Sequence, residues 1–304
     1  MVSAMTEHMD ALSKVGSPSL AAVECFMANL ERVRSALPPE TWRARVRSDP
    51  SIRRWRYFLT QDPYTRWGLL KPRGYPGDAL LMDFAYDHLS IQEHVQAAGD
   101  IGREIYCHTM SAAQSASARL RLSLIGAMIE HRIAAEGSVT INAFASGHAR
   151  EIEQISTSAL SSIKRFCAID LDAESLRIAS DVVGADVFIA VRRNVIKDDL
   201  SEVPRASLVY ALGLFDYLIR ETAITVLLRM WDTTSPGGLC IVANLATDAA
   251  NLGYCEAIMD WWMIARSESE MFQLGESVVR QAGDVSAVHV TRHGCFYFLA
   301  LMKQ

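Results

Sequence analysis

Apolar residues recur along this chain with two rhythms, and the change from one to the other divides it. From residue 20 to 37 they return every three or four positions, with Leu20, Val23, Phe26, Met27, Leu30 and Val33 on one face, the period of an amphipathic helix. Pro38 and Pro39 end it. Residues 41–56 keep the helical period; Arg43, Arg45, Arg47, Arg53, Arg54 and Arg56 interleaved with Trp42 and Trp55 read as a solvated face with the tryptophans packed inward, or alternatively as a grip on a phosphate backbone. A helix is predicted over 79–89. Another is predicted over 101–135, broken near Ser111, with Gly137 suited to the left-handed turn that closes it. Residues 1–18 read as a loose terminal segment. The rhythm therefore predicts a helical module over 1–136 and a second domain over 137–304.

From Ser138 the pattern becomes short apolar runs between helical ones. Strands are predicted over 139–144, 166–171, 185–191, 206–212 and 239–245. Helices are predicted to open near His148 and after Asp172, and to run over 219–231 and 251–265, with a turn at Pro236-Gly237-Gly238. Residues 285–290 and 295–302 form a closing hairpin around His293-Gly294. The fold class predicted is α/β: a Rossmann-like, seven-stranded mixed sheet behind an all-α module.

The chemistry gathers at the first strand–helix junction. Ala145, Ser146 and Gly147 make a turn of small residues whose backbone N–H groups and following helix suit a nucleotide-like ligand. A dinucleotide site has three glycines there; this chain has Gly147, with Ala145 and Ala149 in the flanking places. Asp170 ends the second strand roughly 20 residues on, where an acidic side chain bonds a ribose diol. A glycine-poor turn with that acid favours an S-adenosylmethionine fold over an NAD site. Asp172 reads as a helix N-cap. Ligands of open α/β sheets bind beyond the carboxyl ends of the strands, so Gly213, Asp216 and Tyr217, after the fourth strand, face the site.

A second stretch, Lys71-Pro-Arg-Gly-Tyr-Pro-Gly-Asp78, is a rigid loop carrying Lys71, Arg73, Tyr75 and Asp78. It reads as a lid over a small-molecule site, or as a connector in which Asp78 caps the next helix. Candidate bases are Asp78, His148, Glu151 and Asp216. Arg150 and Glu151 either bind the amino-acid end of a ligand or pair on the surface.

Composition narrows the classes. A net charge of −5 over 304 residues argues against a dedicated nucleic-acid binder. No basic-then-apolar leader pattern and no apolar run of ~20 residues is seen, so no membrane partner is expected. Six scattered cysteines without a CxxC pair read as reduced core residues; no metal site is expected, and the expected compartment is cytoplasmic. A homodimer is left open.

Four stretches together carry a resemblance: Lys71-Pro-Arg-Gly-Tyr-Pro-Gly-Asp78, Ser146-Gly-His-Ala-Arg-Glu151, Gly213-Leu-Phe-Asp-Tyr-Leu218 and Asp260-Trp-Trp-Met-Ile-Ala-Arg266. Over residues 55–304 the chain resembles a bacterial family of class I S-adenosylmethionine-dependent methyltransferases, including enzymes proposed to make 3-hydroxy fatty acid methyl ester signals. The resemblance implies S-adenosylmethionine as cofactor and methyl transfer to a carboxylate, amine or hydroxyl of a small molecule in secondary or signalling metabolism. It implies a cofactor site built from Arg73, Tyr75, Ala145, Ser146, Gly147, Arg150, Glu151, Asp170, Leu171, Asn194, Val195, Leu212, Gly213 and Asp216. Tyr75, Asp78, Asp216, Tyr217, Trp261, Trp262 and Arg266 are the candidate catalytic residues. Ser146 and His148 stand where the family usually has Cys and Pro, and Ile264-Ala265-Arg266 replaces an Ile-Tyr-Arg run.

Enzymes that cyclise S-adenosylmethionine to azetidine-2-carboxylate and methylthioadenosine are similar in architecture. They set a second expectation, with Tyr75, Tyr217, Trp261 and Trp262 as a cage for the sulfonium. A non-catalytic S-adenosylmethionine binder is a third. The Asn/Asp-Pro-Pro-aromatic motif of amino-directed nucleic-acid methyltransferases is absent after strand four.

Overall fold

The structure is a computed structural model and describes residues 20–304; the segment 1–18 expected to be loose lies outside the described residues. In chain order the helices begin α1 (Leu20–Ala36), α2 (Pro39–Ser48), α3 (Pro50–Leu59), α4 (Pro63–Leu70), α5 (Ala79–Tyr86), α6 (Gln92–Gln96), α7 (Asp100–Ser111) and α8 (Ala113–Glu136). Then come β1 (Val139–Phe144), α9 (Thr157–Leu160), β2 (Ile163–Asp170), α10 (Ala173–Val183), β3 (Phe188–Arg192), β4 (Ala206–Ala211) and α11 (Arg220–Asp232). The last elements are β5 (Thr234–Leu245), α12 (Leu252–Ala257), α13 (Glu268–Ala282), β6 (Val285–His293) and β7 (Phe296–Lys303). The described residues form two compact units: residues 20–116 with Ala250–Trp262, and Ser117–Ala249 with Met263–Gln304.

The helical unit is punctuated by proline and aspartate. Pro39, Pro50 and Pro63 each occupy the first helical position, where the missing N–H has no partner to lose. The single helix expected over 41–56 is two, α2 and α3, because a residue before proline is driven out of the helical region. Asp49 is extended there (ψ 115°) and caps α3 by accepting from Ser51 N–H. Trp42 and Trp55 are buried, as expected, and Trp55 stacks on Phe26 with ring centroids 4.3 Å apart.

Asp62 is buried and caps α4, accepting from Tyr64 and Thr65 N–H and from the Thr65 and Thr109 hydroxyls. The Thr65 hydroxyl also meets the Tyr254 hydroxyl at 2.6 Å. Burial pushes the Asp62 carboxyl up to about 6.

The late helix α12 belongs to this unit because its side chains complete the unit's polar pairs. Buried Glu256 accepts from Arg34 at 2.7 and 3.1 Å and from Trp42 Nε1 at 2.6 Å. Gly253 lets α12 approach α1 closely, since a Cβ there would lie 2.9 Å from the Leu30 carbonyl carbon. The helix expected over 251–265 is only α12. Asp260 turns left-handed (φ 49°), and the chain then runs extended to a bridge between Ala246 and Arg266.

The sheet unit has strand order β3-β2-β1-β4-β5-β7-β6. The first five strands are parallel; β7 lies antiparallel to both β5 and β6, as the predicted hairpin requires. Pro236-Gly237-Gly238 lies inside β5, where Gly237 is at φ 71° and the β4 register shifts. One face buries Phe144, Phe215 and Trp231, with Trp231 Nε1 donating to Asp284 at 2.7 Å.

The division between units falls inside α8, not at residue 136. The reason is that α8 is tied to the sheet from Ser117 onward. The Ser117 hydroxyl accepts from Cys295 N–H, Arg121 donates to Leu212 C=O at 2.5 Å, and Arg132 reaches Ser207 and Gly237 C=O.

Candidate functional site

The carboxyl ends of β1, β2, β3 and β4 bring Ala145–Gly147, Asp170, Asn194 and Gly213 to one edge of the sheet unit. The β1 turn is an unusual backbone. Ala145, Gly147 and Ala149 are left-handed (φ 49°, 53° and 54°), a conformation that an alanine adopts only under constraint. Two contacts hold the turn: Ala149 N–H donates to Ser146 C=O at 3.1 Å, and Asp170 holds Gly147. Asp170 Oδ2 accepts from Gly147 N–H at 2.9 Å, and its Oδ1 accepts from Asp172 N–H at 2.9 Å, so one carboxylate pins the turn after β1 to the turn after β2. Burial raises the Asp170 pKa, opposed by those two N–H groups. Asp172 caps α10, as its sequence context predicts.

The turn does not feed an α-helix. Residues Arg150–Gln154 form five residues of 3₁₀-helix, so the expected helix opening near His148 is corrected. Left-handed Ala149 is the cause, since it turns the chain out of the helical path. The backbone N–H groups of the turn, not a helix end, are what the junction offers. His148 is buried in that turn.

Arg150 and Glu151 are buried. Arg150 pairs with Glu153 at 2.7 Å, and Glu151 accepts from the Tyr210 hydroxyl at 2.6 Å. Burial raises the Glu151 carboxyl and, more strongly, the Tyr210 hydroxyl. Tyr210 and Ser207 are the two polar positions in an otherwise apolar strand, and each has a partner, Glu151 and Thr140 respectively.

At β3, Asn194 Oδ1 accepts from Ile196 N–H, and its own N–H donates to Asp198 at 2.7 Å. Its side chain thus shapes its own turn. Val195 points into the core. Leu171, next to Asp170, is exposed, and Arg192 Nε donates to its C=O at 3.1 Å, a positioning contact that sequence reasoning missed.

After β4, Leu212 C=O is held by Arg121, which also lies over the Phe296 ring at 4.6 Å. Gly213 faces open space; a Cβ there meets no heavy atom within 4 Å.

Asp216 and Arg266 are buried braces of the loop that follows. Asp216 Oδ1 accepts from Leu245 N–H and its C=O from Ile264 N–H, both at 2.7 Å. Arg266 donates to Phe215 C=O at 2.7 Å and also to Asn244 Oδ1 and Leu218 C=O. With its donors spent on the loop, Arg266 acts as a scaffold for it. Tyr217 closes the short 3₁₀ turn Phe215–Tyr217.

Burial pushes Asp216 up to about 6, against the pull of Arg121 and Arg266. A folded pKa of about 6 above the ordinary 3.8 favours the protonated folded state, so stability from this group is greatest below pH 4 and is lost as pH rises through 6. Asp216→Asn, which keeps the acceptor for Leu245, is therefore expected to gain on the wild type by up to about 3 kcal/mol between pH 4 and pH 7. Urea unfolding of both proteins at the two pH values measures it; a variant that loses ground as pH rises would show that the two arginines hold Asp216 ionised.

The remaining candidates lie in the helical unit. Asp78 caps α5 by accepting from Leu80 and Leu81 N–H and also takes Trp67 Nε1 at 2.9 Å, which makes it a loop anchor. Gly74 and Gly77 are left-handed in the loop it closes, and Tyr75 is exposed there beside half-buried Arg73. Trp261 is buried. One face of Trp262 carries the Arg43 guanidinium at 4.5 Å from the ring centroid, and its Nε1 donates to Asp260 at 2.7 Å.

Two observations at the sheet edge fit an adenosyl ligand. Ser146 Oγ, in the turn after β1, is buried with no hydrogen-bond partner in the protein, and at Gly213, after the neighbouring strand β4, an added Cβ meets no heavy atom within 4 Å. Among the described residues no three His, Cys, Asp or Glu side chains gather to hold a metal ion, and no helix is long and apolar enough to cross a membrane.

No family model and no curated protein matches the chain. Solved structures do. A possible exported protein from Bordetella parapertussis is 17% identical at a TM-score of 0.55, covering 74% of this chain and 79% of that one. The plantazolicin methyltransferase BpumL in complex with SAH is 11% identical (TM-score 0.48, 71% of this chain and 100% of that one). An O-methyltransferase family protein from Burkholderia thailandensis is 14% identical (0.47, 74% and 70%). The likeness is one of fold: a seven-stranded mixed sheet of order β3-β2-β1-β4-β5-β7-β6 with β7 antiparallel.

Proposed function

We propose that the sheet unit binds S-adenosylmethionine and that the protein transfers its methyl group to a small molecule. The observation that carries this reading is the Asp170 tether, which fixes the β1 turn with Ser146 Oγ left unpartnered beside it. In this reading the turn 145–147 and Asp170 hold the ribose and amino-acid end, with Leu171 against the adenine and Gly213 leaving space for the ligand. When bound, the cofactor supplies an electrophilic methyl group on a sulfonium, so the protein's task is positioning and exclusion of water. Arg266 and Asp216 set the shape of the loop after β4. Glu151 and Tyr210 hold each other and brace the chain after the turn. A carboxylate acceptor needs no base, which suits a site whose carboxylates are committed to hydrogen bonds. The acceptor class, a role in secondary metabolism and a cytoplasmic setting are part of this proposal.

Methyl transfer is favoured over cyclisation by the state of two cage candidates: Trp261 is buried, and a guanidinium already lies on one face of Trp262. The test is incubation with S-adenosylmethionine alone and then with cell extract, read by mass spectrometry. S-adenosylhomocysteine formed only with extract is the expected result. Methylthioadenosine with a cyclic amino acid and no acceptor would replace it with cyclisation, and tight binding without turnover would reduce the protein to a binder.

A further inference from the structure

The arginine run of the second and third helices finds no use in the cofactor chemistry, and two of its members converge on one spot in the helical unit. Arg43 is exposed, lies over the Trp262 ring and has no ion-pair partner among the described residues. Half-buried Arg56 donates to Ala257 C=O at 2.5 Å, and its Nε is buried without a hydrogen-bond partner. Lys71 Nζ reaches Asp260 Oδ2 at 3.4 Å, and the other oxygen of Asp260 takes Trp262 Nε1. Lys71 and Asp260 are both left-handed (φ 48° and 49°), so each side of this pair is presented by a bent backbone.

Three cations therefore face one exposed carboxylate. The surplus is two positive charges, in a protein whose net charge is −5. Burial lowers the Arg56 pKa, and the Asp260 carboxylate opposes that shift. Guanidinium groups pair with phosphate through planar forks, and a phosphate monoester carries about −1.5 to −2 at neutral pH, which matches the surplus.

We propose that Arg43, Arg56 and Lys71, gathered around Asp260 and Trp262, form a binding site for the phosphate group of a phosphorylated small molecule. The site is independent of the methyl-transfer reading, since all its residues lie in the helical unit. Asp260 acts as the built-in competitor: its carboxylate holds Lys71 until a dianion takes its place.

The experiment is calorimetric titration of the full-length protein with phenyl phosphate and with the isosteric monoanion phenyl sulfate, with indole fluorescence as a second signal. Phenyl phosphate is expected to bind at least about tenfold tighter than phenyl sulfate. Arg43→Ala should weaken it by about tenfold, the loss of one charge-assisted contact. Asp260→Asn, which keeps an acceptor for Trp262, should tighten it. That opposite sign is one a merely structural role would not produce, and Arg43 is exposed, so its removal leaves the fold intact. Absence of binding, equal affinity for the two probes, or affinity untouched by Arg43→Ala would each overturn the proposal.

Discussion

Asp170→Ala is expected to abolish S-adenosylmethionine binding measured by calorimetry, a loss of at least about a hundredfold, while the protein still folds. The turn after β1 holds three left-handed residues; the two alanines each cost of order 1–2 kcal/mol without outside support, while Gly147 costs little. Part of that support is the pair of 2.9 Å hydrogen bonds through which Asp170 joins the Gly147 and Asp172 N–H groups. Alanine removes both acceptors and strands two part-buried donors at about 1–3 kcal/mol each. It also removes the carboxylate proposed for the ribose. Two contributions of that size at one position give the expected factor. Asp170→Asn retains one acceptor oxygen, so it should keep the Asp172 contact and lose the Gly147 one, falling between wild type and alanine. Normal binding by the alanine variant would place the cofactor elsewhere and remove the main support of the methyl-transfer reading.

The second large effect is on stability. Glu256→Ala is expected to destabilise the helical unit by about 2–4 kcal/mol, because it strands the buried Trp42 indole N–H and part-buried Arg34 at about 1–3 kcal/mol each, with Glu31 left to Arg34 at 3.6 Å. Arg34 loses both of its contacts to that carboxylate, and the buried Trp42 loses the acceptor of its indole N–H. Glu256→Gln keeps an oxygen for one donor but presents an amide to the other, so it should recover part of the loss. Thermal unfolding followed by tryptophan fluorescence reads this directly, because Trp42 belongs to the affected cluster. An alanine variant within about 1 kcal/mol of wild type would mean that water satisfies Arg34 and Trp42 as well as the carboxylate does.

Much of the fold was legible because burial dictated it. The apolar runs of β1, β2 and β4 are buried nearly throughout, and a strand covered on both faces has little freedom in composition. Asp172 was readable as a cap because local hydrogen bonding settles it. What escaped was set by single backbone conformations. Asp49-Pro50 splits one apparent helix, left-handed Ala149 cancels another, and left-handed Asp260 cuts a third short. The helix Glu268–Ala282 carried a readable signal, the capping box Ser267–Glu270 with Gly283 at its far end, which the apolar pattern alone does not reveal. In the candidate site, spacing pointed to Asp170 and Gly147, which the fold joins by a hydrogen bond. Asp216, Glu151 and Arg266 have the residue types of catalysts, but their partners lie far along the sequence, and only the fold shows how they are committed; the cap that Asp78 makes on the next helix is local and was readable.

The helical unit takes its last piece from residues 250–262, and the contacts that Glu256 makes with Arg34 and Trp42 span 222 and 214 residues. During synthesis the first seven helices leave the ribosome long before that piece exists. Until it arrives, Trp42, Arg34 and the Thr65–Asp62 cluster lack the partners that α12 supplies, so the nascent segment remains open to chaperones and proteases while the whole sheet is translated. Completion of the helical unit thus reports that the chain has been read through its five parallel strands. A ribosome stalled before residue 250 should display a protease-sensitive amino-terminal segment, and one stalled well beyond residue 262 a protected one.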